Sequence, residues 1–305
     1  MSKVNFLDCK TCTLVGLVTN VALAVFKLLA GIFGFSYAMI ADAIHSFSDC
    51  LATGTVYVGL RIAEKPADER HPYGHANAET IAAFLVALII LATGVYVGVS
   101  AIQLIAHKYF ETPATIALAA AATSIVIKEG MFRYTLKVGE RNNSPAVIAN
   151  AWDHRSDAYS SMAALAGILG ARLGFQYLDP IAGLVVSALI IKMSITLFRS
   201  NIGILMDERP EPVVLDKIRT ATLEVRGIKA IDSIRAHRRG STLTIDIEVA
   251  VDSRLTVEQG HQVASEVKNK LLNKVEHVQD VMVHVNPYQP GRISGGEWID
   301  NEVED

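Results

Sequence analysis

Six long apolar runs fill the first two-thirds of the chain, and they constrain its fold more than any other feature. They cover residues 13–34, 37–62, 78–106, 114–138, 145–173 and 178–204. A helix needs roughly 20 apolar residues to cross the hydrocarbon of a bilayer, and every run reaches that length. The sequence therefore predicts six transmembrane helices over residues 13–206, preceded by a short cytoplasmic segment at residues 1–12.

The composition agrees with a large membrane domain. Hydrophobic residues make up 51% of the 305 positions and charged residues only 19%, whereas soluble domains average about 25% charged residues. The net charge of −3 gives no sign of a nucleic-acid-binding surface. The three cysteines suggest no extracellular disulfide framework. The first apolar run is also too long for the h-region of a cleavable signal peptide.

Basic residues in the connections predict how the helices are oriented. One side receives the N-terminal segment and the second and fourth connections, with Lys3, Lys10, Arg61, Lys65, Arg70, Arg133, Lys137 and Arg141. The other side offers only Lys108 and Arg172. Because short cytoplasmic loops carry an excess of Lys and Arg, we expect both chain termini in the cytoplasm.

Beyond residue 206 the long apolar runs stop. Residues 207–290 predict a soluble α+β domain with the order α-β-β-α-β, an arrangement like that of metallochaperones. Residues 241–252, STLTIDIEVAVD, alternate apolar and polar side chains as a half-buried strand does. Residues 291–305 are Gly-rich and then acidic, which predicts a disordered tail.

Two helices are predicted within the soluble domain. Thr256 and Gln259 form the capping-box pattern that begins a helix. An earlier helix is interpreted as having one apolar face made of Val213, Ile218 and Leu223. Together the two helices are expected to cover one face of a small sheet.

The second and fifth apolar runs contain ionisable residues at matching spacing. His45 and Asp49 lie four residues apart, and so do Asp153 and Asp157, so each pair projects from one face of its helix. Ionisable groups inside a membrane are costly and are functional candidates by default. Two such helices can bring one imidazole and three carboxylates to a point, a donor set that suits a divalent transition metal. The alternative is that these groups only bond neighbouring helices together.

Other polar residues in the spans have less specific interpretations. Asp42 lies one turn before the first ligand pair and near the same face. His154 and Arg155 project one residue away from the face of the second pair. Snorkelling or ion pairing between helices is predicted for the remaining group, which is Lys27, Lys128 and Glu129.

Two further candidate metal sites lie outside the spans. In the second connection, Asp68, His71 and His75 have a D-x-x-H-x-x-x-H spacing typical of metal ligands, although a charged loop can also hold two histidines by chance. The candidates in the soluble domain are Asp232, Asp246, His261 and His284. A merely solvated polar face explains this second set equally well.

The cysteines give weaker signals. Cys9 and Cys12 form a C-x-x-C motif, but no second C-x-x-C completes a tetrathiolate zinc site. The pair is open to interpretation as metal-entry ligands or as plain thiols. Cys50 follows Asp49 but points about 100° away on a helix, so we interpret it as a packing residue.

These features together resemble the cation diffusion facilitator family. The resemblance covers nearly the whole chain: six spans, H-x-x-x-D in the second, D-x-x-x-D in the fifth, DERHPYGH after the second, GILMD after the sixth, and the α-β-β-α-β domain. The stretch NNSPAVIANAWDHRSDA and the N-terminal CKTC are most similar to the magnetosome subgroup. Family members are mostly homodimeric, proton-coupled exporters of zinc, iron, manganese or related divalent ions.

The resemblance implies a function and a role for each site. It implies a transport site at His45, Asp49, Asp153 and Asp157, a bridging site around Asp68, His71 and His75, and a dimer-interface site near Asp232, Asp246, His261 and His284. The protein would then be a homodimeric metal/proton antiporter of the inner or magnetosome membrane, with the metal as substrate, no further cofactor and no enzymatic activity. In the magnetosome subgroup the ion would be iron, delivered into the vesicle lumen.

The chain also departs from the family pattern. Zinc members typically have His where this chain has Asp153, and some members have an acidic ligand where it has Asn286. Asn77 stands where a Lys is frequent, which puts in doubt a Lys–Asp lock between subunits that would involve Asp207. The oxygen-rich transport site favours harder ions such as Mn²⁺ and Fe²⁺, although Zn²⁺ accepts the same ligands.

Two other functions compete with transport. A metal-regulated membrane scaffold would use metal binding to control assembly and would move no ion. An intramembrane hydrolase would use His and Asp to activate water on a metal, but no nucleophile or oxyanion motif accompanies them.

Overall fold

The computed structural model describes residues 6–63, 65–142 and 144–288. Six long helices come first: α1 (Phe6–Phe33), α2 (Tyr37–Ala63), α3 (Asn77–Ala106), α4 (Thr115–Arg141), α5 (Pro145–Arg172) and α6 (Leu178–Leu205). The shorter elements follow: α7 (Pro212–Leu223), β1 (Ile228–Arg239), β2 (Thr242–Val251), α8 (Val257–Lys274) and β3 (Val278–Pro287). The tail predicted at residues 291–305 lies outside the described residues.

The order of elements agrees with the predicted architecture, but the evidence for membrane spanning differs between helices. Within the described residues, α1 from Leu14, α3, α4 and α6 are long and apolar enough to cross a membrane. Helices α2 and α5 are as long but carry the polar residues of the predicted transport site. Six spans therefore remain a prediction, and α1 begins at Phe6, inside the segment at residues 1–12 that was predicted to be cytoplasmic.

The chain divides into two compact units, the first made of residues up to 57 together with 83–198. Its helices meet through small side chains, with a buried cluster that includes Ala30, Ala38, Ala117, Ala120, Ala121 and Ala164. Small residues let helix backbones approach closely where hydrophobic burial alone does not drive association. At Gly98 of α3 a Cβ would lie 2.8 Å from the Ser187 Oγ of α6, so a larger residue would force the Ser187 hydroxyl to move.

The first turn of α2 is capped by a carboxylate from another helix. Asp179 of α6 is buried, and it accepts hydrogen bonds from the Ser36 hydroxyl and the Tyr37 backbone N–H, both at 2.6 Å. The backbone N–H of Ala38 donates to it at 3.3 Å. These amides have no partner within α2 itself, so Asp179 satisfies them and fixes the start of the helix.

The second unit joins residues 58–82 with the chain beyond 199 and contains a three-stranded mixed sheet. The central strand β2 pairs antiparallel with β1 and parallel with β3. The apolar face predicted for β2 is confirmed, because its alternate residues are all at most 5% exposed: Leu243, Ile245, Ile247, Val249 and Val251. Val267 and Leu271 of α8 complete the same core, and Thr256 and Gln259 form the predicted capping box.

Helix α7 differs from its predicted face. Ile218 is fully buried, but Val213 and Leu223 are 63% and 54% exposed. A step of five residues turns an α-helix by about 500°, so successive members of that set lie about 140° apart around the axis. The buried face instead combines Ile218 with Ala221 and Thr222, at the spacing of three and four residues that a helix requires.

Candidate metal centre

Helices α2 and α5 bring three of the four predicted intramembrane ligands together. His45 and Asp49 come from α2 and Asp157 from α5, and one ligand atom of each lies within 4.8 Å of the others. The His45 Nε2 and Asp157 Oδ1 atoms are 3.9 Å apart. An imidazole nitrogen with two carboxylate oxygens can hold Mn²⁺, Fe²⁺ or Zn²⁺.

The cluster is screened from solvent. His45 and Asp157 are each 7% exposed, and within the described part of the chain the His45 Nδ1 atom has no hydrogen-bond partner. Ligands must be deprotonated to coordinate a metal, and a bound dication offsets the charge of the two carboxylates. The arrangement can therefore bind a cation in exchange for protons.

Asp153 lies apart from this group. It is one helical turn from Asp157 on α5, its side chain is exposed, and it is not among the residues whose ligand atoms lie within 4.8 Å of each other. Its role as a fourth ligand stays a prediction. The next residues face elsewhere: His154 is buried beside Gly16 of α1, and the Arg155 guanidinium lies 4.6 Å from the centre of the Phe132 ring.

A buried ion pair lies one turn from the ligands. Lys27 of α1 and Asp42 of α2 are both fully buried, with their charged atoms 2.8 Å apart. The Asp42 carboxylate also accepts hydrogen bonds at 2.8 Å from Ser160 and Ser161 of α5, and Lys27 donates to Ser46 and Ser161. These bonds join α1, α2 and α5, and we call the five side chains the polar staple.

A second buried lysine contacts a candidate ligand directly. Lys128 of α4 is 1% exposed and forms an ion pair with the Asp157 Oδ2 atom. Its ammonium also donates to the Asn20 Oδ1 atom of α1 at 2.7 Å. The sequence predicted either snorkelling or ion pairing between helices for Lys27 and Lys128. In the structure both lysines form ion pairs with another helix. Glu129 pairs within α4, with Arg133 at 2.8 Å.

The connection between α2 and α3 gathers the second candidate group. Asp68, His71 and His75 each offer a ligand atom within 4.8 Å of the others. The Asp68 oxygens lie 3.1 Å from His71 Nδ1 and 3.4 Å from His75 Nε2, and the two imidazole rings are 4.4 Å apart. Gly74 has a φ of +81°, a backbone conformation that lets the loop turn back to place both histidines together.

The loop also packs against the soluble domain. The Arg239 guanidinium lies 4.9 Å from the centre of the Tyr73 ring, a cation–π contact with the end of β1. A cavity of about 320 Å³ lies beside this contact and is lined by His75, Lys65 and Asp280 among others. Changes at the loop site can therefore reach the sheet through directly touching side chains.

Acidification is expected to release metal from the loop site, and protonation of Asp68 is not expected to be the cause. Hydrogen bonds from the backbone N–H groups of His71 and Arg70 hold the Asp68 pKa below its usual range, so the carboxylate stays charged at mildly acidic pH. Ligands must lose their protons to coordinate a metal, so protons compete with the metal for the rest of the loop site. Calorimetry on the full chain at pH 7.5 and 5.5 should show the loss of one site.

The control for that measurement separates the loop from the other candidate sites. His75→Ala should remove the same site already at pH 7.5, whereas His107→Ala, on the connection after α3, should not. Unchanged binding in His75→Ala would leave a charged loop without a metal.

The four predicted soluble-domain ligands do not form a comparable group within the described residues. Asp246 is exposed on β2 and stands opposite Arg235 on β1 and Met282 on β3. His284 stands opposite Glu248, and His261 is exposed on α8. These residues remain a predicted site only.

Glu248 of β2 and Asn286 of β3 were not predicted as ligands, but both lie close to Asp232. The Asn286 amide donates to an Asp232 oxygen at 2.8 Å and approaches a Glu248 oxygen at 3.5 Å. Glu248 follows Asp246 by two residues and so lies on the same face of β2. That alternation was the signal that could have added Glu248 to the candidates.

The cysteines show no thiol pair among the described side chains. Cys12 is buried and its Sγ atom lies 3.6 Å from the Thr135 hydroxyl of α4. Cys50 is partly buried and free. The Cys9 side chain, and with it the predicted C-x-x-C pair, lies outside the described residues.

Comparison with known proteins gives matches along most of the chain. The cation efflux transmembrane domain matches residues 13–206, and the cytoplasmic domain of cation efflux proteins matches residues 210–288. The manganese efflux system protein MneP of Bacillus subtilis is 36% identical over 282 residues, covering 90% of this chain and 95% of that protein.

Two further relatives also cover most of the chain. Metal tolerance protein C1 of Arabidopsis thaliana is 36% identical over 89% of this chain, which spans 61% of the plant protein. The magnetosome protein MamB of Paramagnetospirillum magneticum is 32% identical, covering 88% of this chain and 90% of that protein.

Proposed function

Because the chain belongs to the cation efflux family of divalent-metal transporters, the cation diffusion facilitators, we propose that it exports a transition-metal dication from the cytoplasm in exchange for protons. The observation that carries this proposal is the convergence of His45, Asp49 and Asp157 inside the helical domain. Asp153 would join them as the fourth ligand once a metal draws its carboxylate inward.

The position of the polar staple supports a route for the ion. Asp42 precedes the ligands on α2, and Ser160 and Ser161 follow them on α5, so the staple lies on one side of the cluster. Exposed Asp153 lies on the other side. With the N-terminus in the cytoplasm, the exposed side faces the cytoplasm, and metal enters there. Rearrangement of the helices then exposes the ligands to the far side, where protons displace the metal.

Manganese is the substrate we rank first. Two or three carboxylates and one imidazole form an oxygen-rich set, which suits Mn²⁺ and Fe²⁺ better than a His-rich set does. The relative MneP is named for manganese efflux, and the likeness to MamB keeps iron delivery into a magnetosome vesicle as the second substrate and setting. Zn²⁺ is the third ion that these ligands accept.

We place the protein in the cytoplasmic or magnetosome membrane as a homodimer with both termini in the cytoplasm. The match of residues 210–288 to the family's cytoplasmic domain supports dimerisation through that domain. Metal bound at the loop and soluble-domain sites would regulate the pair. A scaffold that only assembles on metal has no need of ligands buried in the membrane domain, which is why we favour transport over that alternative.

Proteoliposomes loaded at acidic pH are expected to accumulate Mn²⁺ faster than vesicles at equal pH. If protons displace the metal, an acidic lumen speeds release there and drives further uptake. The measurement compares initial rates for Mn²⁺, Fe²⁺ and Zn²⁺ with and without the gradient. Equal rates would indicate a uniporter, and the absence of flux for every ion, with metal-dependent dimerisation retained, would favour the scaffold.

A further inference from the structure

Lys128 is a buried cation inside a proposed cation site, and the antiport mechanism leaves it without a role. Its side chain is 1% exposed and its ammonium binds the carboxylate of a candidate ligand, Asp157. A permanent positive charge next to metal ligands opposes the binding of a dication. Such a group would be selected against unless weak binding itself serves the protein.

The other buried lysine has a different setting. Lys27 binds Asp42, whose two oxygens are also occupied by the hydroxyls of Ser160 and Ser161. None of these residues belongs to the group of converging ligand atoms. Lys27 is thus part of a closed structural network, whereas Lys128 shares its partner with the metal.

The carboxylate of Asp157 is divided between the two roles. Its Oδ1 atom faces the His45 imidazole at 3.9 Å, and its Oδ2 atom is held by Lys128. The ammonium has a second acceptor, the Asn20 Oδ1 atom on α1 at 2.7 Å, which anchors it beside the cluster. Only one oxygen of Asp157 is therefore directed at the place where a metal would lie.

We propose that Lys128 is a positioning residue that limits Asp157 to coordination through a single oxygen and weakens metal binding enough for release. This inference rests on the proposed function. The ammonium occupies Oδ2 and repels a dication bound at Oδ1, so the site holds its ion loosely. A transporter needs this property, because an ion bound too tightly is not released on the far side.

The same restriction bears on which ion binds. Large, hard cations such as Ca²⁺ take six to eight oxygens and use carboxylates through both oxygens. Holding one oxygen of Asp157 removes that option and reduces the number of donors available. Lys128 would thereby discriminate against Ca²⁺ in favour of smaller transition-metal ions.

The test measures the affinity for metal. If the role of Lys128 were purely structural, replacing it would leave that affinity unchanged or lower it. Calorimetry on the full chain in detergent at pH 7.5 titrates Mn²⁺ and, separately, Ca²⁺. We expect Lys128→Gln to bind Mn²⁺ about tenfold more tightly or better and to gain measurable Ca²⁺ binding. Lys128→Arg keeps the charge and should bind Mn²⁺ as the unchanged protein does. Lys192→Gln, the same change on α6, is the matched control.

Flux through proteoliposomes supplies the second readout. Tighter binding with slower release predicts that Lys128→Gln lowers both the KM and the kcat for Mn²⁺, whereas simple damage to the site raises KM. Asn20→Ala tests the inference if Lys128→Gln does not fold. Without Asn20 the ammonium keeps only Asp157 among its described hydrogen-bond partners, so Mn²⁺ binding should weaken.

The outcomes separate this inference from the proposed function. Unchanged or weaker Mn²⁺ binding in a folded Lys128→Gln protein overturns the role of Lys128 alone, and so does unchanged or tighter binding in Asn20→Ala. If the unchanged protein binds no dication, or Asp157→Asn binds as well as it does, the transport site itself is wrong.

Discussion

Asp157→Asn is expected to abolish metal flux, with a loss of more than about 100-fold in rate. The amide keeps the size of the side chain but removes the negative charge that a dication requires, at the point where α2 and α5 meet. Asp157 also neutralises Lys128, so the variant leaves a buried ammonium facing the site. Both changes act against a bound cation. The measurement is Mn²⁺ uptake into proteoliposomes that contain equal amounts of folded protein.

Two further variants make that result interpretable. Asp49→Asn removes a ligand from the α2 side without touching the lysine pair and should give a comparable loss. Asp216→Asn changes an exposed carboxylate on α7 and should transport normally. Flux that survives in both Asp157→Asn and Asp49→Asn would show that the cluster is not the transport site.

Lys27→Met should destabilise the helical domain by about 3–5 kcal/mol, because it leaves Asp42 as an uncompensated buried charge. Serine hydroxyls remain as its only described hydrogen-bond donors. Unfolding in detergent, followed by far-UV circular dichroism against denaturant, measures the change. The double variant Lys27→Met with Asp42→Leu should recover much of the loss, since it removes both charges together.

An exposed ion pair provides the matched comparison. Lys268 and Asp280 lie 2.8 Å apart on the surface of the soluble domain, with side chains 45% and 59% exposed. Lys268→Met should cost less than about 1 kcal/mol, because solvent screens such pairs. If Lys27→Met costs no more than Lys268→Met, the polar staple does not hold the helices together.

How much of the fold and of the candidate site could be predicted from the sequence depended on the type of pattern. Strict alternation predicted the buried face of β2, and the Thr256–Gln259 pair predicted the start of α8, because both patterns are local. The matching pairs on α2 and α5 predicted four candidate ligands, and the fold brings His45, Asp49 and Asp157 together but leaves Asp153 apart. The predicted face of α7 was wrong because a step of five residues does not follow the helical period.

Contacts that depend on the mutual rotation of helices could not be predicted. No sequence spacing links Lys128 to Asp157 and not to Asp42, or places Asn20 beside the same ammonium. The exposure of Asp153 likewise depends on how α5 is turned in the bundle. In the soluble domain, the opposition of Glu248 and His284 follows from the register between β2 and β3, which neither strand specifies alone.

The polar staple has a mechanical consequence, because it fastens α2 to α5 on the side of the ligands away from Asp153. Asp42 binds Ser160 and Ser161 on one side of the ligands, and the Asp49 and Asp157 carboxyl groups are hydrogen-bonded to each other at the level of the ligands. The staple therefore lies where a pivot between the two helices would be, one turn from the ligands. A small rotation of the helices about the staple changes the separation of His45 and Asp157 little. It changes the separation of Asp49 and Asp153 much more. The ligands would then separate from a bound ion one at a time, starting with those farthest from the staple.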